Sequence, residues 1–477
     1  MKIASHPGLL AACFLGSCLA ARPVTALAEQ AAAPADSPPP MSDASSQAGP
    51  TPLATPPVPL AGISAPFRRL YDAGVLVSAT FYDDLQGNPV GGLKHGTQNA
   101  GAGVLGADFD LQKLAGVPGA RFHVVFTWEY GNTLQKDIGN FIKSQDWFLP
   151  GQKAQLAQFA YEQSLWGDKL NIIGGRVSAA TLFARPTFGC NFISGSQCPY
   201  ALPLFTGGFS GFPYATWGGR LKIRPTEKTY IQGGAFSVDP TRVKMGGFQL
   251  GLNTVTGAAF PVEVGYESDF TNDRYPRHYR LGGWYNDAPS TDPLLNTQRQ
   301  SRALFGGAPL TNTFGRGGAY GLADQVIYRP DGSRRNLAVF GSFALPFDQR
   351  EIFSAHNTLG VYLTGPTAAR PNDTVGFMVT QVVFTKAQTQ FMNELLAKNG
   401  SRSFVKRDQF NLELLYGYQV TPGVVVTPNI QYLINPDTSQ RPDAKFAPKN
   451  ALVVGIRLTL NLDDALGIPG QLPKLGH

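Results

Sequence analysis

Asn450-Ala451-Leu452-Val453-Val454-Gly455-Ile456-Arg457-Leu458-Thr459-Leu460-Asn461-Leu462 is the stretch that decides how this chain folds. Leu452, Val454, Ile456, Leu458, Leu460 and Leu462 fall on one side of an extended backbone, and Gly455, Arg457, Thr459 and Asn461 on the other. Period two sustained this long is strand, because a helix would repeat every 3.6 residues. Residues 409–420 read the same way, with Phe410, Leu412, Leu414, Tyr416 and Tyr418 opposing Asn411, Glu413 and Gln419. Residues 423–434 form a third such run. Globular strands average about 5–6 residues, whereas a tilted strand needs about 9–11 to cross a bilayer. A continuous apolar face carrying tyrosines suits lipid, and the polar face suits water.

Working back from this end, alternation marks strands near 74–83, 101–111, 119–130, 157–166, 169–178, 214–224, 229–238, 278–286, 318–329, 336–345, 357–364, 374–385, 409–420, 423–434 and 450–462. One more lies at 246–252 or at 260–267. The expected fold is therefore all-β, a 16-stranded antiparallel transmembrane β-barrel of the outer membrane. The connections support it. Trp166-Gly167-Asp168-Lys169, Arg224-Pro225-Thr226-Glu227-Lys228, Pro330-Asp331-Gly332-Ser333 and Thr421-Pro422-Gly423 are short turns with suitable chemistry. Residues 131–156, 179–213, 287–317 and 386–408 are long connections, and long alternates with short. Phe391, Leu395 and Leu396 give 386–398 a helical spacing.

Composition agrees. Charged residues are 15% of the 477, against roughly 25% in soluble domains. Beyond the N-terminus no apolar run approaches the ~18 residues of a helical span. The net charge of +7 comes from scattered basic residues, so nucleic-acid binding is not expected. Lys2, the apolar stretch 9–20 and Ala26-Leu27-Ala28 read as an export signal at 1–28. Lipidation at Cys18 is the alternative there. Residues 29–66, rich in Ala and Pro, read as a periplasmic linker. The barrel domain is then 67–462, and 463–477 is a tail. Cys190 and Cys198 are a disulfide candidate, being the two cysteines outside the signal.

The polar faces supply the candidate site. Asp108 and Asp110 lie on the second strand, Arg121, His123 and Glu129 on the third, and Glu162 on the fourth. Arg176 lies on the fifth, Arg220 and Lys222 on the sixth, and Arg185 in the loop that follows the fifth. Carboxylates and guanidiniums on neighbouring strands suggest a charged ladder across a lumen; the alternative is mutually paired wall residues. Loop 179–213 carries Phe183, Phe188, Phe192, Tyr200, Phe205, Phe209 and Phe212. So much apolar area should not stand in water, so the loop is expected to fold inward and narrow the channel, or else to meet another subunit. Gly101-Ala102-Gly103-Val104-Leu105-Gly106 matches a dinucleotide fingerprint in letters only, since a strand follows it where that fingerprint needs a helix. No cofactor, metal site or enzymatic activity is expected.

Several phrases together resemble the carbohydrate-selective porins of the OprB type. These include Gly91-Gly92-Leu93-Lys94-His95-Gly96, Gly116-Val117-Pro118-Gly119-Ala120-Arg121-Phe122-His123 and Arg220-Leu221-Lys222-Ile223-Arg224-Pro225-Thr226. At the C-terminal end the phrases are Glu413-Leu414-Leu415-Tyr416-Gly417-Tyr418-Gln419-Val420-Thr421-Pro422-Gly423 and Pro428-Asn429-Ile430-Gln431-Tyr432. The resemblance covers about residues 70–462 and implies a sixteen-stranded outer-membrane barrel that passes glucose and other small sugars by diffusion. Expected partners are monosaccharides or small oligosaccharides, outer-membrane lipid and further copies in a homotrimer, with both termini in the periplasm. A polysaccharide-export or surface-attachment barrel is the alternative task, and a secreted soluble all-β sugar-binding protein the alternative class.

Overall fold

A computed structural model describes residues 60–146, 154–198, 201–242 and 246–472. The signal at 1–28 and most of the expected linker lie outside the described residues. In chain order the strands are β1 (Val75–Gly92), β2 (Thr97–Asp110), β3 (Ala120–Gly131), β4 (Ala154–Leu165), β5 (Leu170–Val177), β6 (Thr216–Ile223), β7 (Thr229–Val238), β8 (Gly257–Glu267) and β9 (Arg277–Asn286). They continue as β10 (Ser290–Asn296), β11 (Pro309–Asn312), β12 (Arg316–Tyr328), β13 (Asn336–Pro346), β14 (Phe353–Thr364), β15 (Thr374–Phe384), β16 (Asp408–Thr421), β17 (Val424–Ile434) and β18 (Lys449–Asn461). Sixteen of them close one antiparallel barrel in sequence order, with β9 beside β12 and β18 returning to β1. β10 and β11 form a separate hairpin in the loop between β9 and β12.

Alternation along each strand sets the two faces. Leu85, Leu105, Leu221, Leu281, Leu359, Leu414 and Ile456 are exposed on the outside, while Asp84, Glu162, Arg220, Glu413 and Arg457 are buried within. An apolar exterior on this scale suits a hydrocarbon solvent. The glycines of the apparent fingerprint serve this wall. A Cβ on Gly103 would fall 1.9 Å from the Trp128 ring, and one on Gly101 2.4 Å from the Tyr130 hydroxyl. Both glycines therefore make room for aromatic rings of β3.

The largest departures from the sequence expectation concern the eighth strand and the first. The ambiguous strand is β8, Gly257–Glu267, so 246–252 is not part of the wall. β1 does not stop at 83 but continues to Gly92 through register shifts between Gly87 and Val90 and between Val90 and Gly92. Bulges tolerate the Gly and Pro that elsewhere read as a turn. Asn88 secures the extension, its Nδ2 donating to Lys94 O (2.9 Å) and its Oδ1 accepting from Gly96 N (2.9 Å).

No connection at one end of the barrel, the short-turn end, is longer than nine residues, and the longest loops all stand at the other. The helix expected at 386–398 forms over Lys386–Lys398, capped by Thr385 and packed through Met392 and Leu396 onto Phe353 and Phe384. The short-turn end is also structured. The last linker residues are not extended: Ala61–Ile63 form a 3₁₀ turn and Ser64–Asp72 an α-helix. The tail begins with a helix at Leu462–Leu466, and Leu466, Ile468 and Leu472 pack with Phe67 and Tyr71 around Leu76. Apolar residues at both edges of the barrel domain thus find one another once the strands are closed.

Candidate functional site

The aromatic loop between β5 and β6 lies inside the barrel. Its contacts trace its course along the inner wall. Leu182 O accepts from Gln232 of β7 (2.9 Å), and Ala184 N donates to Glu263 of β8 (2.9 Å). Arg185 O accepts from Arg280 of β9 (3.0 Å), and Thr187 Oγ1 donates to Asp324 of β12 (2.6 Å). Phe188 and Phe192 pack against Phe340 of β13 and Tyr362 of β14. On the far side, Ile193 N and Ser194 N donate to the two oxygens of Glu413 on β16, at 2.6 and 3.0 Å. The Cys190–Cys198 disulfide closes the tip of this excursion. Phe183, Phe192 and Phe209 are fully buried, so apolar area that would be costly in water is what holds the loop in the lumen.

A charged ladder covers the wall from β2 to β9. His123 Nδ1 lies 2.6 Å from Asp108 and its Nε2 3.0 Å from Glu162. Asn171 donates to Glu162 (2.8 Å) and accepts from Arg220. Lys222 (3.0 Å) and Arg224 (2.5 Å) share Glu267, and Glu263 accepts from Tyr230 (2.7 Å) and Tyr320 (3.0 Å). Glu129 is buried on the same inner side and accepts from Thr127 (3.1 Å). Asp108, Glu129, Glu162, Arg220 and Lys222 thus face the lumen, while Arg185 sits half-buried on the infolded loop.

Three other candidates stand elsewhere. Asp110 caps the short helix Leu111–Ala115, accepting from Gln112 N (3.0 Å) and Lys113 N (3.2 Å). Arg121 meets the C-terminal segment at the short-turn end, donating to Leu472 O (3.4 Å). Arg176 is not a lumen residue. It pairs in register with Phe159 and Trp217 and shares parity with Ile172, all on the outer face, while Asn171 and Ile173 point in. Sequence reading placed it inward because Ile173 and Val177 are apolar; in fact those two turn inward and are buried by the infolded loop.

The seam between β1 and β18 holds a buried charge cluster that sequence reading missed. Arg457 grips Asp84 with Nε at 2.5 Å and NH2 at 2.7 Å, and also bonds Asp146. Asp146 belongs to a second infolded segment, 132–146, whose Gln145 donates to Asp84 O (3.0 Å) and Gln98 O (3.2 Å). Burial raises the Asp146 carboxyl above the usual carboxylate range, with Arg457 opposing, and burial lowers the neighbouring Lys143 ammonium to about 8. Asp84 was missed because the expected first strand stopped at 83, just short of it. Arg457 was visible as the one charge on its polar face, but its partners are remote in sequence.

These groups form a lumen in which charged and amide side chains on the wall face loops rich in apolar and hydroxyl groups. Such walls can replace the water around a polyhydroxylated solute and cover its C–H faces without binding it tightly. Among the described residues no cluster suits a metal ion. The model of the carbohydrate-selective porin, OprB family, matches residues 94–462. Porin B of Pseudomonas aeruginosa is 26% identical over 377 residues, covering 74% of this chain and 80% of that protein. Putative porin QuiX of Acinetobacter baylyi is 26% identical over 432 residues, covering 83% and 90%. The high-pH structure of Pseudomonas putida OprB superposes with a TM-score of 0.74 at 26% identity, over 83% of this chain and 96% of that one. The matched span runs from the β1–β2 turn to the end of β18 and takes in both infolded loops, and the chain belongs to the carbohydrate-selective porin (OprB) family of outer-membrane β-barrels, which are not enzymes.

Proposed function

We propose that this porin passes small neutral sugars, glucose among them, by diffusion into the periplasm. The observation that carries the reading is the infolded loop, clamped by Glu413 opposite the ladder of Asp108, His123, Glu162, Arg220 and Lys222. Paired charges of both signs present donors and acceptors without a large net field, which favours a neutral polyol over an ion. Swelling of liposomes holding the purified protein tests it, comparing glucose with an amino acid of similar size. Faster glucose entrance supports the reading, equal rates mean a general pore, and no uptake favours export or attachment.

The short-turn end, with the first and last described segments, is the periplasmic end in this reading, as short turns face the periplasm in such barrels. Protease added to intact cells should spare 60–72 and 462–472 but cut the long loops. One outward polar cluster, Asp83 with Asn99 (3.0 Å) and the Tyr130 hydroxyl, favours a homotrimer packed through β1 and β2, which leaves the Phe126 side of β3 to lipid. Cross-linking in mild detergent reads this directly: a trimer band supports the assembly and a lone monomer band removes it.

A further inference from the structure

Residues 246–252 of the loop between β7 and β8 lie against the outside of the wall rather than over the mouth. Gly246 O accepts from Leu156 N of β4 (2.9 Å), where the β3–β4 register shifts and leaves that N–H without a ladder partner. Gln249 O accepts from Arg176 of β5 (2.9 Å), and Leu250 O accepts from the Trp217 indole of β6 (2.9 Å). Arg176 also donates to Ala215 O (2.7 Å) and lies against the Trp217 ring. The approach depends on two adjacent glycines at positive φ, Gly246 at 63° and Gly247 at 76°. A Cβ on Gly247 would meet Leu156 O at 2.3 Å.

With the Gly246, Gln249 and Leu250 carbonyls turned to the wall, the strap leaves Phe248, Leu250 and Leu252 at 57%, 57% and 58% exposure. Phe248 stacks on Phe126 of the outer face of β3, so the apolar edge is continuous with the lipid-facing belt. We propose that the strap is a lipid anchor: Phe248, Leu250 and Leu252 insert among acyl chains at the long-loop end of the belt. Arg176 and Trp217 are its positioning residues. Arg176 is thereby sealed from hydrocarbon by the carbonyls it holds, and the Leu156 N–H is satisfied where no water can reach it. The continuity with Phe126 favours lipid over a second copy, because the outer face beside the strap is the same belt that meets lipid elsewhere round the barrel.

The test places a spin label at Leu250→Cys in phospholipid vesicles, with Leu221→Cys as the belt reference and Asn253→Cys as the loop reference. Collision with oxygen like that at 221, and protection from a water-soluble nickel chelate, are expected. Chelate access equal to that at 253 overturns the anchor, and dipolar broadening between labels on different copies replaces lipid with a second copy. Gly247→Ala or Arg176→Ala should expose the label to the chelate, leaving heat-modifiable migration and sugar-driven swelling unchanged. A label unmoved by both substitutions overturns the positioning role.

Discussion

Ile456 sits midway along β18 with its side chain outward and 43% exposed. Its parity was legible from Leu452 to Leu462 in the sequence alone, and β18 pairs on both flanks in the matching register. Ile456→Arg places a guanidinium against acyl chains with no carbonyl strap to cover it, unlike Arg176. We expect a cost of about 2–4 kcal/mol at mid-bilayer, read as loss of heat-modifiable barrel in the outer-membrane fraction. Normal yield of folded protein would mean the outward face is assigned wrongly. The contrast with Arg176 shows where parity alone misleads: Gly174 and Gly175 hide the faces of β5, and only pairing with Trp217 and Phe159 assigns them.

At the scale of elements, the infolded loop is held by few polar clamps, of which Glu413 is the most complete. Glu413→Gln keeps one acceptor and replaces the other with an amide that cannot accept from Ser194 or Ile193. Hydrogen bonds to a charged group contribute about 1.5–3 kcal/mol, so the loop should loosen and single-channel conductance rise. Unchanged conductance would show that buried phenylalanines alone hold it. The terminal packing at the short-turn end carries a pH dependence. Burial, then Asp464, pushes the Asp463 carboxyl up to about 7. The folded segment thus retains a proton that the unfolded one releases near pH 4, so its stabilisation is complete in acid and is lost as pH rises through about 7. Hydrogen exchange at 462–468 should quicken between pH 5 and 8 by more than the intrinsic chemistry, and Asp463→Asn should abolish that excess.

At the scale of the whole molecule, closure of the barrel rests on the β1–β18 ladder, and Arg457 with Asp84 is the buried ion pair across it. Removing one partner of such a pair costs about 3–5 kcal/mol, since the other charge stays buried. Arg457→Ala should lower the temperature of the gel-mobility transition and, by leaving Asp84 and Asp146 uncompensated, shift the zero-current potential toward cation preference. Arg457→Lys, which keeps the charge but not the two-pronged grip, should restore selectivity more than stability. An unshifted potential would remove the seam from the conduction path.

The barrel, its sixteen strands, the long and short alternation of its connections and the infolded aromatic loop were all legible in the amino-acid order. These follow from period-two alternation and from apolar area too large to leave in water, and both are local properties of the chain. The extension of β1 through its bulges, the pairing of Arg457 with Asp84 and Asp146, and the outward place of Arg176 beneath the 246–252 strap emerge only once the chain is folded. Each of these joins residues far apart in sequence, and an alternation that breaks at glycines or bulges carries no record of the partner that restores it.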